Sequence, residues 1–439
     1  MKQKLLHLSE RLRASFWLVP AVMMAVAILL AHGLLSLDQM LDINYLPGFR
    51  WLELRDSESA RALLSTIAGS TITVAGTVFS ITTVALTLAA NQFGPHLVRN
   101  FIRDRGTQVS LGIFLSTFVY ALMVMRGIQA GKSSGENQSL AVSMAILLAL
   151  VSIAYLIYFI HNVAQSIQVD NITFNINREF RQALAQIYPS EESRDPRNTR
   201  ADLRDLNLGD NCLCVPAHHG GYVQLIDREK LLRWAKGNDC CIKLECHPGT
   251  YLNHWSCVAR IFEPPRQQDT EEIAKVIRSA ITIGSQPTAE QDIIFSIRQL
   301  AQIAVRALSP GINDPFTAYS CIDRLIDGIG VVLQRPPLPN CFHDENQRLR
   351  LVTKELDFAD VLAAALDEIR EYGSQSAVVM HHLLDALYEL AEICNREADK
   401  RALKHCLERL TEDCENQIDD KFDTAAITRK IAAVRNRLS

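Results

Sequence analysis

Seven hydroxyl side chains recur at helical spacing between Thr66 and Thr87, in a segment without an acidic or basic residue. Thr66, Ser70, Thr73, Thr77, Ser80, Thr83 and Thr87 step along by four or three residues, which puts them on one face of a helix. The row rises about 30 Å at 1.5 Å per residue, close to the thickness of a bilayer's hydrocarbon core. Uncharged hydroxyls can replace part of a solute's hydration shell without trapping it, which conduction requires. A proton-coupled pump would place a carboxylate in mid-membrane, and none lies between Leu63 and Ala90. The same residue types also have a purely structural use. Gly, Ala, Ser and Thr bring membrane helices close together, and hydroxyls bond back to their own turn. Gly69 and Gly76 beside the row suit either use, and Thr71 and Thr82 lie off it.

Two other groups of residues invite chemistry. Cys212, Cys214, Cys240, Cys241, Cys246 and Cys257 fall close to His218, His219, His247 and His254. The spacings are C-x-C, HH, CC and CH, without the C-x₂-C knuckle of a zinc site, and reduced cysteine also packs as a small hydrophobe. Ser309-Pro310-Gly311-Ile312-Asn313-Asp314-Pro315 reads as a rigid corner between two helices. Gly311 supplies the sharp turn, Asn313 or Asp314 caps the next helix and Pro315 occupies its first turn. Arg306 and Asp292 are placed to brace that corner with charge-assisted bonds. A helix start after Gly can hold an anion, but Asp314 would repel one. No nucleophile elbow, phosphate loop, H-E-x-x-H or dinucleotide fingerprint occurs, so an enzyme reading has nothing to stand on.

The elements that position these residues begin with four apolar stretches, about 17–37, 63–90, 109–130 and 140–160, each long enough to span a bilayer. Pro20 and the Leu35-Ser36-Leu37-Asp38 sequence argue against a cleaved signal peptide in the first. Lys2, Lys4, Arg11 and Arg13 precede the first span, and Arg99, Arg103 and Arg105 separate the second from the third. Arg50 and Arg55 in the first loop are offset by acidic neighbours, so positive-inside counting puts both termini in the cytoplasm. The second span ends at Asn91-Gln92-Phe93-Gly94-Pro95, where Gly and Pro stop a helix. His96–Arg105 reads as a basic interfacial connector.

After the fourth span a helix is expected over 163–187, then an exposed linker over Pro189–Asn198. A small β-rich domain follows over 201–265, with strands at Cys212–Val215, Gly221–Ile226, Cys240–Glu245 and Cys257–Phe262. One helix, Asp227–Lys236, interrupts them, with Asp227 as its cap. Residues 266–439 read as helical. At 439 residues the chain has room for a membrane bundle and this α/β part. Its net charge of −4 and mean hydropathy of +0.04 average two unlike halves. All 11 cysteines lie beyond residue 211, where a cytoplasmic location would keep them reduced.

Gln92-Phe93-Gly94-Pro95-His96-Leu97, Asn100-Phe101-Ile102-Arg103-Asp104, Leu111-Gly112-Ile113-Phe114-Leu115 and Phe118-Val119-Tyr120-Ala121-Leu122 are strings that resemble a bacterial family of predicted membrane proteins, domain of unknown function 2254. Gly221-Tyr222-Val223-Gln224 and the long string from Arg306 to Ala318 extend the likeness nearly to the C-terminus. Where the family has Ser within Gln-Phe-x-Pro and Arg after it, this chain has Gly94 and His96, which weakens a charge-based role there. The resemblance implies a shared inner-membrane architecture and supplies no activity.

The expectation is therefore a four-span α-helical inner-membrane protein, assembled as a homo-oligomer, with a large cytoplasmic α/β part. The second spans would line a channel, with Asn91 and Gln92 at its inner mouth and the cytoplasmic parts as vestibule or gate. The rival is a membrane-tethered sensor or scaffold whose spans only pack together and whose cytoplasmic half binds a protein or small ligand. The expected partners are lipid, further copies of the chain and a permeating ion or small solute. No cofactor, metal or nucleic acid is expected.

Overall fold

Four long apolar runs, without a proline after Pro20 to break them, can satisfy their backbone hydrogen bonds only as helices in a membrane. The computed structural model describes residues 17–40, 57–93, 105–130, 139–166, 168–188, 195–202, 206, 208–209, 211–265 and 269–439. The first loop, Gly94–Pro95, most of His96–Arg105, most of the Pro189–Asn198 linker and the basic N-terminus lie outside the described residues. Two units, Met1–Asn171 and Ile172–Ser439, make up the chain.

In the N-terminal unit the runs form α1 (Leu18–Met40), α2 (Ser57–Phe93), α3 (Arg105–Ala130) and α4 (Ser139–Ser166). Each is long and apolar enough to cross a membrane. α3 is the hub. It packs on the other three, and 61% of its span is buried against 17–22% of theirs. Glycines permit the α1–α3 seam: a Cβ at Gly112 would overlap the Met23 sulfur, and one at Gly127 would overlap Leu35. Tyr120, fully buried, donates to the Ala141 carbonyl of α4 at 2.9 Å. Thr117 and Ser152 share a buried hydrogen bond of 3.1 Å between α3 and α4. Asp38, at the end of α1, accepts from the backbone N–H groups of Leu140 (3.2 Å) and Ala141 (3.0 Å). It thus caps α4 from another helix, satisfying donors that would otherwise be orphaned.

The fourth span and the helix expected over 163–187 are separate elements, because α4 ends at Ser166 and α5 runs over Val169–Ile187. α5 is strongly amphipathic and buries Ile172, Ile176, Phe180, Ala183 and Leu184.

The C-terminal unit contains two small sheets. Strands β1 (Cys212–Pro216), β2 (Gly221–Ile226), β3 (Cys241–Leu244), β4 (Tyr251–Leu252) and β5 (Cys257–Phe262) come from the region expected to be β-rich. β6 (Ile281–Gly284), β7 (Cys341–His343) and β8 (Leu349–Val352) come from the region expected to be helical. The orders are β1-β5-β3-β8-β7 and β4-β2-β6, so both sheets are completed by strands past residue 266. β3 and β8 pair in parallel, with Ile242 opposite Leu351. Strands of three or four residues carry too little periodicity to be read locally; only pairing to distant partners defines them.

α6 (Arg228–Gly237) begins at Asp227, whose side chain accepts from Lys230 N–H, and α7 (Thr270–Arg278) covers the core with it. The rest is a bundle of α8 (Ile293–Ala307), α9 (Pro315–Gln334), α10 (Phe358–Gly373), α11 (Ala377–Ile393), α12 (Glu397–Gln417) and α13 (Lys421–Leu438). α9 takes α5 against it at Gly328, where a Cβ would overlap the Phe180 ring.

Candidate functional site: the outward face of the second membrane helix

α2 has two opposite sides. Leu64, Ile67, Ala68, Thr71, Ala75 and Val78 are buried, and this side packs on α3. Thr66, Ser70, Thr73, Thr77, Ser80, Thr83 and Thr87 are all exposed on the opposite side. The hydroxyl row therefore lies away from the side that packs on α3. Asn91 and Gln92 lie in the last turn of α2, but their side chains are outside the described residues.

Six of the seven hydroxyls donate to their own helix. Thr66 bonds Ala62 O at 2.9 Å, Thr73 bonds Gly69 O at 2.8 Å, and Thr77 bonds Thr73 O at 3.1 Å. Thr83, Thr87 and Ser70 make equivalent bonds to Phe79 O, Thr83 O and Ile67 O. Each of these six hydroxyl protons is engaged by a carbonyl, which leaves oxygen lone pairs directed outward. The face thus offers hydrogen-bond acceptors without formal charge. Gly69 and Gly76 lie on the same side, and a Cβ at either would meet nothing within 4 Å.

The Ser309–Pro315 stretch forms the corner between α8 and α9, and it takes the second of the two cap candidates. Asp314 is the cap, accepting from Thr317 N–H at 3.2 Å and from its hydroxyl at 2.6 Å, and Pro315 opens the helix. The left-handed residue is Asn313 (φ +50°) rather than Gly311, since an Asn tolerates that conformation through local hydrogen bonding. Ser309 O accepts from Ile312 and Asn313 N–H, and Ser309 Oγ donates to Arg306 O, while Pro310 and Gly311 are exposed. Asp292 does not brace this corner. It caps the other end of α8, about 21 Å from Arg306 at 1.5 Å per residue.

The cysteines and histidines of the sheet region are spread through it. Cys214 and Cys257, expected as thiols, are bonded to each other across β1 and β5, with Cα atoms 6.0 Å apart. Burial pushes the Cys240 thiol up to about 11 and those of Cys241 and Cys246 to about 12, so these side chains act as core hydrophobes. His247 Nδ1 sits 2.7 Å from Pro248 O, His218 faces Glu271, and His254 stacks edge-on with Trp255. Among the described residues no three His, Cys, Asp or Glu side chains group as metal ligands.

Asp38 is the contributor that local reading missed. Its role depends on partners 102 and 103 residues away.

Three mycobacterial proteins are each 29% identical over 377 residues, covering 84% of this chain and 70% of the relative. They are the uncharacterized proteins MT1328 and Rv1290c of Mycobacterium tuberculosis and Mb1321c of Mycobacterium bovis. No solved structure matches the chain. A family profile described as "Predicted membrane protein (DUF2254)" covers residues 13–389, from before the first apolar helix into α11. With four span-length helices and a profile that takes in most of its length, the chain belongs to the DUF2254 family of predicted membrane proteins.

Proposed function

We propose that this membrane protein is a homo-oligomeric, channel-like protein of the bacterial inner membrane. In it, α2 helices from several copies surround a hydroxyl-lined path for an ion or small solute. The observation that carries this reading is the outward direction of the whole row. A face of seven hydroxyls turned away from its own bundle meets either lipid, another copy or water. Against lipid the row has no use, whereas around a path the outward lone pairs replace waters of hydration. Gly69 and Gly76 support assembly. Glycine inside a helix costs about 1 kcal/mol relative to alanine, and nothing among the described residues uses the space it frees.

The C-terminal unit would form a cytoplasmic vestibule or gate, an orientation supported by the placement of lysine and arginine. Trapping thiols in intact cells tests that orientation. A reducing cytoplasm predicts Cys214 and Cys257 free, and a pair that stays oxidised overturns it. The scaffold reading loses support to the extent that it needs the row packed within one protomer.

Ion flux into liposomes carrying the purified protein tests the channel. Flux in the wild type that Thr77→Leu and Ser80→Leu both alter, at unchanged assembly size, is the expected result. An absence of flux under voltage or osmotic shock, with leucine variants that dissociate, would replace the path by a dry contact between copies.

A further inference from the structure

The C-terminal unit contains a cavity of about 440 Å³, within the size range of small-molecule sites. Its walls come from the end of α5, the junction of β2 and α6, the His247–Pro248 turn, the start of α8, Leu338 and the Lys354–Leu356 segment. Leu225, Ile293 and Leu338 make much of the apolar wall. The polar lining is unbalanced, with five carboxylates facing two permanent cations, Arg228 and Lys354.

Arg228 is already committed. Its guanidinium bonds Glu355 at 2.7 Å and lies over the Phe342 ring at 5.7 Å. Asp227 is engaged with Lys230 N–H as the α6 cap. Asp292 is the informative group. It is 94% buried, its residue retaining 6% exposure, and one oxygen accepts from Phe295 N–H at 3.2 Å. Among the described residues no lysine or arginine forms an ion pair with it, and His247 and Arg298 act on it from beyond ion-pair distance. Its second oxygen presses against Gly249 (φ +88°), where any Cβ would overlap it. The His247–Thr250 turn is thus shaped to admit a carboxylate that the lining leaves without a full countercharge. Burial accordingly pushes Asp292 above the usual carboxylate range. A ligand bringing a positive head and an apolar body would complement both parts of this lining.

We propose that this cavity binds a small amphipathic organic cation, its ammonium or guanidinium head on Asp292 and its hydrocarbon body against Leu225, Ile293 and Leu338. The site is independent of the path along α2, and nothing in the argument depends on conduction.

Calorimetric titration and thermal melting of the full-length protein test it with two probes of one skeleton, 4-phenylbutylamine and 4-phenylbutyrate. The amine should bind and raise the melting temperature, while the carboxylate does neither. Asp292→Asn keeps a helix-capping side chain but removes the charge, and should weaken the amine by about tenfold or more. Leu338→Trp, which fills the cavity and leaves Asp292 in place, should abolish amine binding. Equal binding of both probes, no binding of the amine to folded wild type, or undiminished binding to folded Asp292→Asn would each overturn the proposal. The comparison of the two probes on wild type needs no variant to fold.

Discussion

α2 and α4 have the same length class, and each leaves the same small share of its span buried, 22%. Their outward faces nevertheless differ in kind. α4 exposes Leu147, Leu150, Val151, Ile153, Ile157 and Ile160, an aliphatic surface suited to acyl chains. α2 exposes the seven hydroxyls of the row, with Ile72, Phe79 and Ile81 at their margins and Val84 and Leu88 toward one end. Hydropathy ranks α4 above α2 but leaves both apolar enough to span, because threonine with its proton bonded back to a carbonyl is only mildly polar. What separates them is the direction of the polar groups relative to the packed side. An amphipathic arrangement inside an apolar helix points to a second kind of environment.

A charge scan should break or sharpen that contrast most strongly. Ile153→Arg on α4 should lose most of its membrane-inserted yield, since an arginine at mid-span costs about 2.5–3.5 kcal/mol. Thr77→Arg should stay within about twofold of wild type if its face meets water. Equal losses in quantified membrane fractions would put both faces against lipid.

The contrast extends to how each unit satisfies buried polar groups. The N-terminal bundle uses neutral hydroxyls and one capping carboxylate, whereas the C-terminal unit uses charged pairs. Arg350, with its side chain 8% exposed, bonds Asp344 at 2.8 Å and Asp239 at 2.6 Å. Arg350→Met leaves Asp344 without its ion partner and should lower the urea midpoint of the C-terminal unit clearly. The pH dependence should change with it. Arg348 N–H and the Arg350 side chain hold the Asp344 carboxyl at about 2. A lowered pKa contributes stability that is present above the ordinary value of 3.8 and lost as pH falls towards about 2. In the variant that loss should be smaller and should finish closer to 3.8, as acid titration of the unfolding signal would reveal. An unchanged profile would make the pair incidental.

Glycines give a finer test. Gly112→Leu should destabilise the protomer by about 1–3 kcal/mol, because Met23 and Pro20 already occupy the space. Gly76→Leu should leave the protomer folded but change the assembly size in native mass measurement. A normal assembly with Gly76→Leu would remove the α2 face from contact between copies. The smallest effect expected is Thr117→Val, which deletes the buried bond to Ser152 and should cost about 0.6 kcal/mol in a reversible unfolding assay. A cost several times larger would mean that hydroxyls hold this bundle together more than glycines do.

Local pattern determined a good deal of this protein. The four spans follow from run length, and the hydroxyl row from its spacing. β2, β5, the Asp227 and Asp314 caps and the turn into α9 follow from residue types known to favour those conformations. These features are set within one or two turns of chain. Tertiary structure decided whatever depended on partners far along the sequence. β8 is a strand because β3 lies beside it, β7 because β8 does, and Asp38 is a cap because α4 starts against it. Asp292 faces a cavity, not the corner near Arg306, because the Gly249 turn from another segment receives it. The direction of the hydroxyl row belongs to this second class. Periodicity put the seven side chains on one face, but only the packing of α2 on α3 turned that face outward, since a helix carries no local record of which side its neighbours will cover.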